Sequence, residues 1–318
     1  MPTLLITRRL PDTVLDAARA QFDVTLRDDT TPMSAGEMAA AMAQYDVILP
    51  TLGDGLSAEA FNGALRCRLL ANFGVGYNHI DVAAAQAAGI AVSNTPGAVT
   101  DATADIAMTL MLMTCRRAGE GERMLRAGDW QGWHPTQLLG QQVSGKVAGI
   151  VGMGRIGKAI ARRCHFGFGM DIAFVNRSPI ADPGVPARQI AGLHELAGMA
   201  DVLISAVPAT PDTHHLFGAE VFAAMKSTAV FVNIARGDVV DESALIAALQ
   251  AGEIAGAGLD VYEFEPKVPE ALKAMENVTL LPHLGTATEE VRTAMGMMAL
   301  DNLTAFFDGT PLPNPVLP

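Results

Sequence analysis

A chain of 318 residues, 50% hydrophobic and 18% charged, is too long for one typical domain and too apolar for a disordered tail. Its 34 acidic against 22 basic residues give a formal charge of -12, which argues against nucleic acid or an anionic membrane as partner. An anionic substrate must then be drawn by a local cation. In chain order, Thr3–Thr7 reads as a strand, Pro11–Gln21 as a helix, and Val47–Leu49 and Leu69–Asn72 as strands. Asp81 can cap a helix Val82–Ala88 that stops at Gly89, before the strand Ile90–Val92. One long helical segment, Asp101–Arg126, follows and ends at Gly128. Strands and helices then alternate again through Val147–Val151, Ile156–Phe166, Ile172–Val175, Val202–Ala206, Val230–Ile234, Glu242–Gln250 and Ala255–Val261. A last helix, Glu289–Phe307, leads to the tail Pro311–Pro318.

Such alternation predicts an α/β chain with parallel sheets covered by helices on both faces. The restart after the long helix predicts two domains, 101–288 and a discontinuous one of 1–100 with 289–318, hinged near Ala98–Asp101 and Thr286–Glu289. Three cysteines, Cys67, Cys115 and Cys164, show no CxxC spacing, which fits a reducing compartment and no metal site. The apolar run at the N-terminus precedes its arginines, the wrong order for a secretory signal, and Ile106–Cys115 is about half the roughly 20 residues of a membrane helix. The expected location is the cytoplasm.

Gly152-Met153-Gly154-Arg155-Ile156-Gly157 matches GxGxxG, a weak pattern alone but here placed between an apolar strand and a helix. In that setting Gly152 makes the tight turn, Gly154 admits the phosphates, and Gly157 lets helix and strand pack closely. The helix N-terminus at Arg155 and Ile156 then faces a pyrophosphate. About 20 residues further on, an NAD enzyme usually places an acidic residue against the ribose. This chain offers Asn176-Arg177-Ser178 instead. A carboxylate would repel a 2′-phosphate, whereas Arg177 can pair with it and Ser178 can donate to it. NADP is therefore the expected preference, with NAD possible.

Three polar residues follow apolar strands where open α/β sheets bind ligands. They are Arg236, Glu265 and His283. A histidine transfers protons near neutral pH, a carboxylate partner favours its protonated form, and a guanidinium offers a fork to a substrate carboxylate. The adjacent His214 and His215 are expected on an extended segment, pointing opposite ways, with no metal role.

These segments together resemble the D-isomer-specific 2-hydroxyacid dehydrogenase family, in its glyoxylate/hydroxypyruvate reductase branch. The matching stretches are Asn72-Phe73-Gly74-Val75-Gly76, Thr95-Pro96-Gly97-Ala98-Val99-Thr100-Asp101, the glycine loop, Asn233-Ile234-Ala235-Arg236-Gly237, Gly258-Leu259-Asp260-Val261-Tyr262 with Glu265-Pro266, and Pro282-His283-Leu284-Gly285. Their shared order over nearly the whole chain makes the set specific. The resemblance implies two Rossmann-like domains, flavodoxin-like and dinucleotide-binding, with the active site in the cleft between them. It implies His283 as acid/base, Glu265 as its partner and Arg236 as the anchor of a small 2-keto acid. It also implies Val75 and Gly76 amides on the substrate, and Asp260, Ile234, Ala235, Val207, Pro208 and Gly285 beside the cofactor. A homodimer is implied as well, joined through Asp101–Arg126 and the loop of Trp130 and Trp133, with Trp133 reaching the neighbouring active site.

One departure stands out. The family commonly has His or Asn two residues before Pro208, where this chain has Ala206. Formate dehydrogenases share the architecture but pair their histidine with glutamine, so Glu265 points away from them. An NAD-linked dehydrogenase of another 2-hydroxy acid is the alternative enzyme, and a dinucleotide-sensing interaction protein is the alternative of another class.

Overall fold

The strand and helix signals resolve into two parallel sheets in the computed structural model, which describes residues 1–317. The first unit comprises Met1–Val99 and the chain from Thr286 on. It begins with β1 (Thr3–Ile6), α1 (Asp12–Gln21), β2 (Asp23–Leu26), α2 (Ala35–Gln44), β3 (Val47–Leu49), β4 (Leu69–Ala71), α3 (Val82–Ala87) and β5 (Ala91–Ser93). Its strands lie in the order β2-β1-β3-β4-β5, each pair parallel. β3 and β4 are wholly buried because helices cover both faces, and they read as unbroken apolar runs. β2 alternates exposed and half-buried residues at the sheet edge, so its sequence carries no apolar run. Ser34 and Glu37 close a capping box at the start of α2, a signal present in the sequence as S-x-x-E.

The second unit, Thr100–Gly285, contains α4 (Thr100–Cys115), α5 (Ala118–Ala127), β6 (Val147–Val151), α6 (Arg155–Phe168), β7 (Asp171–Val175), β8 (Ala187–Gln189) and α7 (Leu193–Met199). It continues with β9 (Val202–Ser205), α8 (Ala219–Ala224), β10 (Val230–Asn233), α9 (Glu242–Ala251), β11 (Gly256–Leu259), α10 (Glu270–Ala274) and β12 (Val278–Leu280). The sheet order β12-β11-β10-β9-β6-β7-β8 reverses direction between β6 and β9, the switch point where such sheets bind ligands. On one face Phe217, Phe222 and Phe231 interlock at ring separations of 5.0 and 5.4 Å. On the other, Met108, Leu110 and Met111 of α4 pack with Ile160 and Cys164 of α6.

The expected single helix Asp101–Arg126 is in fact two. Arg117 takes a left-handed conformation, φ 51°, that α-helix cannot continue through, and it separates α4 from α5. On α4, Met108, Leu110 and Met111 are buried inside its own unit, whereas Ile106, Leu112 and Met113 are half-buried. α5 buries no residue. No described helix is long and apolar enough to cross a membrane.

The chain returns to the first unit through α11 (Glu289–Phe307), capped by Thr288. Here α11 meets α1 at a position only glycine fits: a Cβ on Gly296 would lie 2.5 Å from Cγ2 of the fully buried Val14. Gly296→Ala should therefore lower unfolding free energy by about 1–3 kcal/mol through overpacking. Urea denaturation checks this, and Val14→Ala in the same chain should recover part of the loss.

Candidate active site

β6 ends at the glycine loop, where Gly152 has φ 96° and a Cβ on it would lie 2.6 Å from the Ala206 carbonyl oxygen. A Cβ on Gly157 would collide with the Gly152 oxygen, so α6 can approach the strand only with glycine there. Gly154 differs: among the described residues, nothing lies within 4 Å of where its Cβ would be. It also occupies the N-cap of α6 with no side-chain cap, leaving the first amides of a 14-residue helix unsatisfied by a side chain. Open space before an uncapped helix N-terminus suits a pyrophosphate, with Arg155 and Ile156 opening the helix.

The loop after β7 is organised by Asn176. Its Oδ1 accepts the Met153 N–H at 3.1 Å, and its Nδ2 donates to the Ser178 carbonyl at 2.9 Å. That side chain therefore joins the glycine loop to the segment carrying the exposed Arg177 and Ser178. Gln189 on β8, not foreseen from the sequence, braces the same loop by donating to Asn176 and Ser178 carbonyls and accepting from Ile180 N–H.

Arg236, Glu265 and His283 leave the ends of β10, β11 and β12 within the second unit. His283 Nδ1 and Glu265 Oε2 are 2.9 Å apart, which leaves Nε2 as the ring nitrogen on the far side. Burial alone would raise the Glu265 pKa. The His283 hydrogen bond and charge, the Tyr262 N–H at 3.1 Å and the Arg236 charge together hold it below its ordinary value. The Arg236 guanidinium is drawn down by burial, against the pull of Glu265 and Asp238.

Several residues that aim this trio were not singled out for that task by the sequence. Buried Asn233 donates to the Arg236 carbonyl at 2.9 Å and accepts the Ala235 N–H at 3.0 Å, fixing the turn of Ile234, Ala235 and Arg236. Asp260 does the same for His283. Its carbonyl takes the His283 N–H at 2.9 Å, and its carboxylate takes Leu284 and Gly285 N–H at 2.6 and 2.8 Å. Those bonds hold His283 at φ 55°, a conformation that a non-glycine residue rarely adopts. Burial raises the Asp260 pKa in spite of them. Glu242, also raised by burial, accepts the Glu263 N–H at 3.0 Å and pins the loop leading to Glu265. The signal for Asn233 and Asp260 was available: Asn233 is the polar last residue of the apolar β10, and Asp260 directly follows the apolar β11.

The other expected residues belong to other elements. Val75 and Gly76 belong to the first unit, in the loop after β4. Val207 and Pro208 follow β9, and Val207 packs over the Gly152 turn. Trp133 is 79% exposed on the loop after α5. The histidine pair departs from expectation. His215 has φ 49°, so the segment is not extended there, and the two rings face each other at 4.0 Å. Each has a partner: His214 Nδ1 lies 3.1 Å from the Asp238 carbonyl and His215 Nε2 lies 2.8 Å from Glu263 Oε1.

The family model for the NAD-binding domain of D-isomer specific 2-hydroxyacid dehydrogenases matches residues 108–285. The chain is 42% identical to a glyoxylate reductase of Thermococcus gammatolerans, over 97% of this chain and 93% of that one. It is also 42% identical to glyoxylate/hydroxypyruvate reductase B of Escherichia fergusonii, over 97% and 95% of the two chains. Among solved structures it superposes on the NADPH-dependent glyoxylate/hydroxypyruvate reductase of Sinorhizobium meliloti in complex with NADP and malonate. That match has a TM-score of 0.88 and 38% identity, covering 99% of this chain and 96% of that one.

The depressed Glu265 pKa sets a sign for stability. A carboxylate with a lowered folded pKa stabilises the fold above its unfolded value, ordinarily 4.5, and loses that contribution as pH falls through the folded value. The urea midpoint of Glu265→Gln should thus lie below that of the parent at neutral pH. The gap should close as pH falls below 4.5.

Proposed function

The chain belongs to the D-isomer-specific 2-hydroxyacid dehydrogenase family, in its glyoxylate reductase branch, and from that premise we propose that it reduces glyoxylate and hydroxypyruvate with NADPH. The observation that carries the reading is the 2.9 Å pairing of His283 Nδ1 with Glu265, on strand ends neighbouring that of Arg236. Bound along the glycine loop, a reduced nicotinamide dinucleotide supplies the hydride. Arg236 and the Val75 and Gly76 amides hold the substrate carboxylate, so that the keto carbon is fixed in place. His283 gives a proton from Nε2 to the carbonyl oxygen as the carbon is reduced, and Glu265 stabilises the imidazolium that does so. The product is the 2-hydroxy acid, and in the reverse direction His283 is the base. In this reading the second unit is the dinucleotide-binding domain and the first the substrate-binding domain. Asp260, Ile234, Ala235, Val207, Pro208 and Gly285 line the cofactor side.

The preference for NADPH rests on Arg177 and Ser178, whose loop carries no acidic residue between Val175 and Ile180. Its shape, set by Asn176 and Gln189, leaves both side chains exposed for a 2′-phosphate. The proposal includes a homodimer. Leu125, Trp130, Trp133 and Leu139 are exposed apolar residues on and just after α5, and they support an interface there. Trp133 is the residue proposed to reach the partner's substrate.

Steady-state oxidation of NADPH and NADH with glyoxylate, hydroxypyruvate and pyruvate tests the reading. Turnover should favour NADPH with the first two acids, and Arg177→Asp should reverse the cofactor ratio. An unchanged ratio would remove Arg177 as the phosphate reader. His283→Ala should lower kcat by about 10²–10⁴, the range of general acid catalysis. Arg236→Ala should chiefly raise KM for the keto acid. A monomer mass by light scattering would contradict both the dimer and the shared tryptophan.

A further inference from the structure

We propose that Asn72 and Asn94 are positioning residues that orient the Val75 and Gly76 N–H groups toward the substrate carboxylate. The inference rests on the reading of those two amides given above. It also explains how a loop without regular secondary structure holds them. Asn72 Nδ2 donates to the Gly74 carbonyl at 3.1 Å and to the Gly76 carbonyl at 3.0 Å. The Gly74 carbonyl takes a second bond, from Thr95 N–H at 3.0 Å. Asn94 Nδ2 donates to the Val75 carbonyl between them at 2.9 Å.

A planar trans peptide points its N–H opposite its C=O. Fixing the Gly74 carbonyl therefore fixes the Val75 N–H, and fixing the Val75 carbonyl fixes the Gly76 N–H. Among the described residues, no backbone or side-chain acceptor takes either N–H. Successive N–H groups left in that state form a site for an anionic oxygen. The orientation of the Asn72 amide follows from chemistry: the opposite flip would set its oxygen against two carbonyl oxygens. As placed, its own Oδ1 is buried with no partner among the described residues, while the side chain is 1% exposed.

Asn94 is itself braced from the far end of the chain. Its N–H donates to the Asn314 carbonyl at 3.2 Å. Asn314 in turn exchanges two bonds with Asn302, N–H to Oδ1 at 3.0 Å and Nδ2 to Oδ1 at 3.2 Å. Asn302 is fully buried on α11. Val316 N–H completes the attachment at the Val92 carbonyl, 2.8 Å away, so the tail runs beside β5. Helix α11, the tail, Asn94 and the Val75 peptide thus form one hydrogen-bonded series within the first unit.

Asn94→Asp tests the proposal because it keeps the shape and turns the donor into an acceptor facing the Val75 carbonyl. Asn314→Ala loosens the brace without approaching the loop, and remains informative if the first variant folds poorly. The readouts are KM and kcat for glyoxylate, inhibition by oxamate with NADPH present, NADPH affinity by fluorescence, and the crystal structure of Asn94→Asp. The expected result is a rotated Val75 peptide with KM and the oxamate inhibition constant raised roughly tenfold to a hundredfold, the span of one charge-assisted hydrogen bond. In that result kcat falls less than KM rises, NADPH affinity is unchanged, and Asn314→Ala moves KM in the same direction by less. A rotated peptide with unchanged KM would remove the loop as the carboxylate holder, and the proposal with it. An unrotated peptide, whether KM changes or not, would overturn the positioning role while leaving the amides' own role standing.

Discussion

The candidate site depends on one constraint, the parallel pairing of β10, β11 and β12. Val230 aligns with Gly256, and Ala257 with Val278, so all three strands end on the same edge of the sheet. Residues separated by 18 to 47 positions are thereby delivered to one place: Arg236, Glu265 and His283. Parallel pairing brings only the backbone, however. Asn233, Asp260 and Glu242 convert that delivery into aim, each by binding N–H or C=O groups of the loop that follows a strand. Polar groups buried for such a purpose lock rotamers and backbone together, which is what a site that must place atoms to within about half an ångström requires.

Burial and charge act in opposition across these residues. Desolvation raises the pKa of Asp260 and of Glu242, and lowers that of Arg236. Glu265 is the exception among the carboxylates: His283, Tyr262 N–H and Arg236 overcome its burial and keep it ionised. The residue proposed to stabilise an imidazolium is thus the one whose surroundings favour its negative charge. Asp260 and Glu242, whose carboxylates bind backbone N–H groups of the loops, bear the desolvation instead.

Much of this was legible in the sequence because the strands are buried on both faces and so stand out as short apolar runs. Val47–Leu49, Val147–Val151 and Glu289–Phe307 have the bounds that the residue pattern predicts. The glycine loop was readable too, since each glycine answers a local backbone demand. The edge strand Asp23–Leu26 was not, because half its residues face outward and no apolar run forms. Nor was the break at Arg117, a left-handed non-glycine residue with no proline or glycine in its place to mark it. The pairing of Asn94 with Val75, or of Asp260 with Leu284 and Gly285, joins loops whose approach only the assembled sheet determines. A sequence shows such residues as polar interruptions; it does not show which amide each one binds.

In the proposed reaction His283 carries the proton and Glu265 favours its protonated form. The decisive measurement for that pairing is the pH dependence of kcat/KM for glyoxylate reduction, compared between the parent and Glu265→Gln. Reduction should decline as pH rises, and the decline should move to lower pH when Glu265 loses its charge. A profile that Glu265→Gln leaves in place would contradict it.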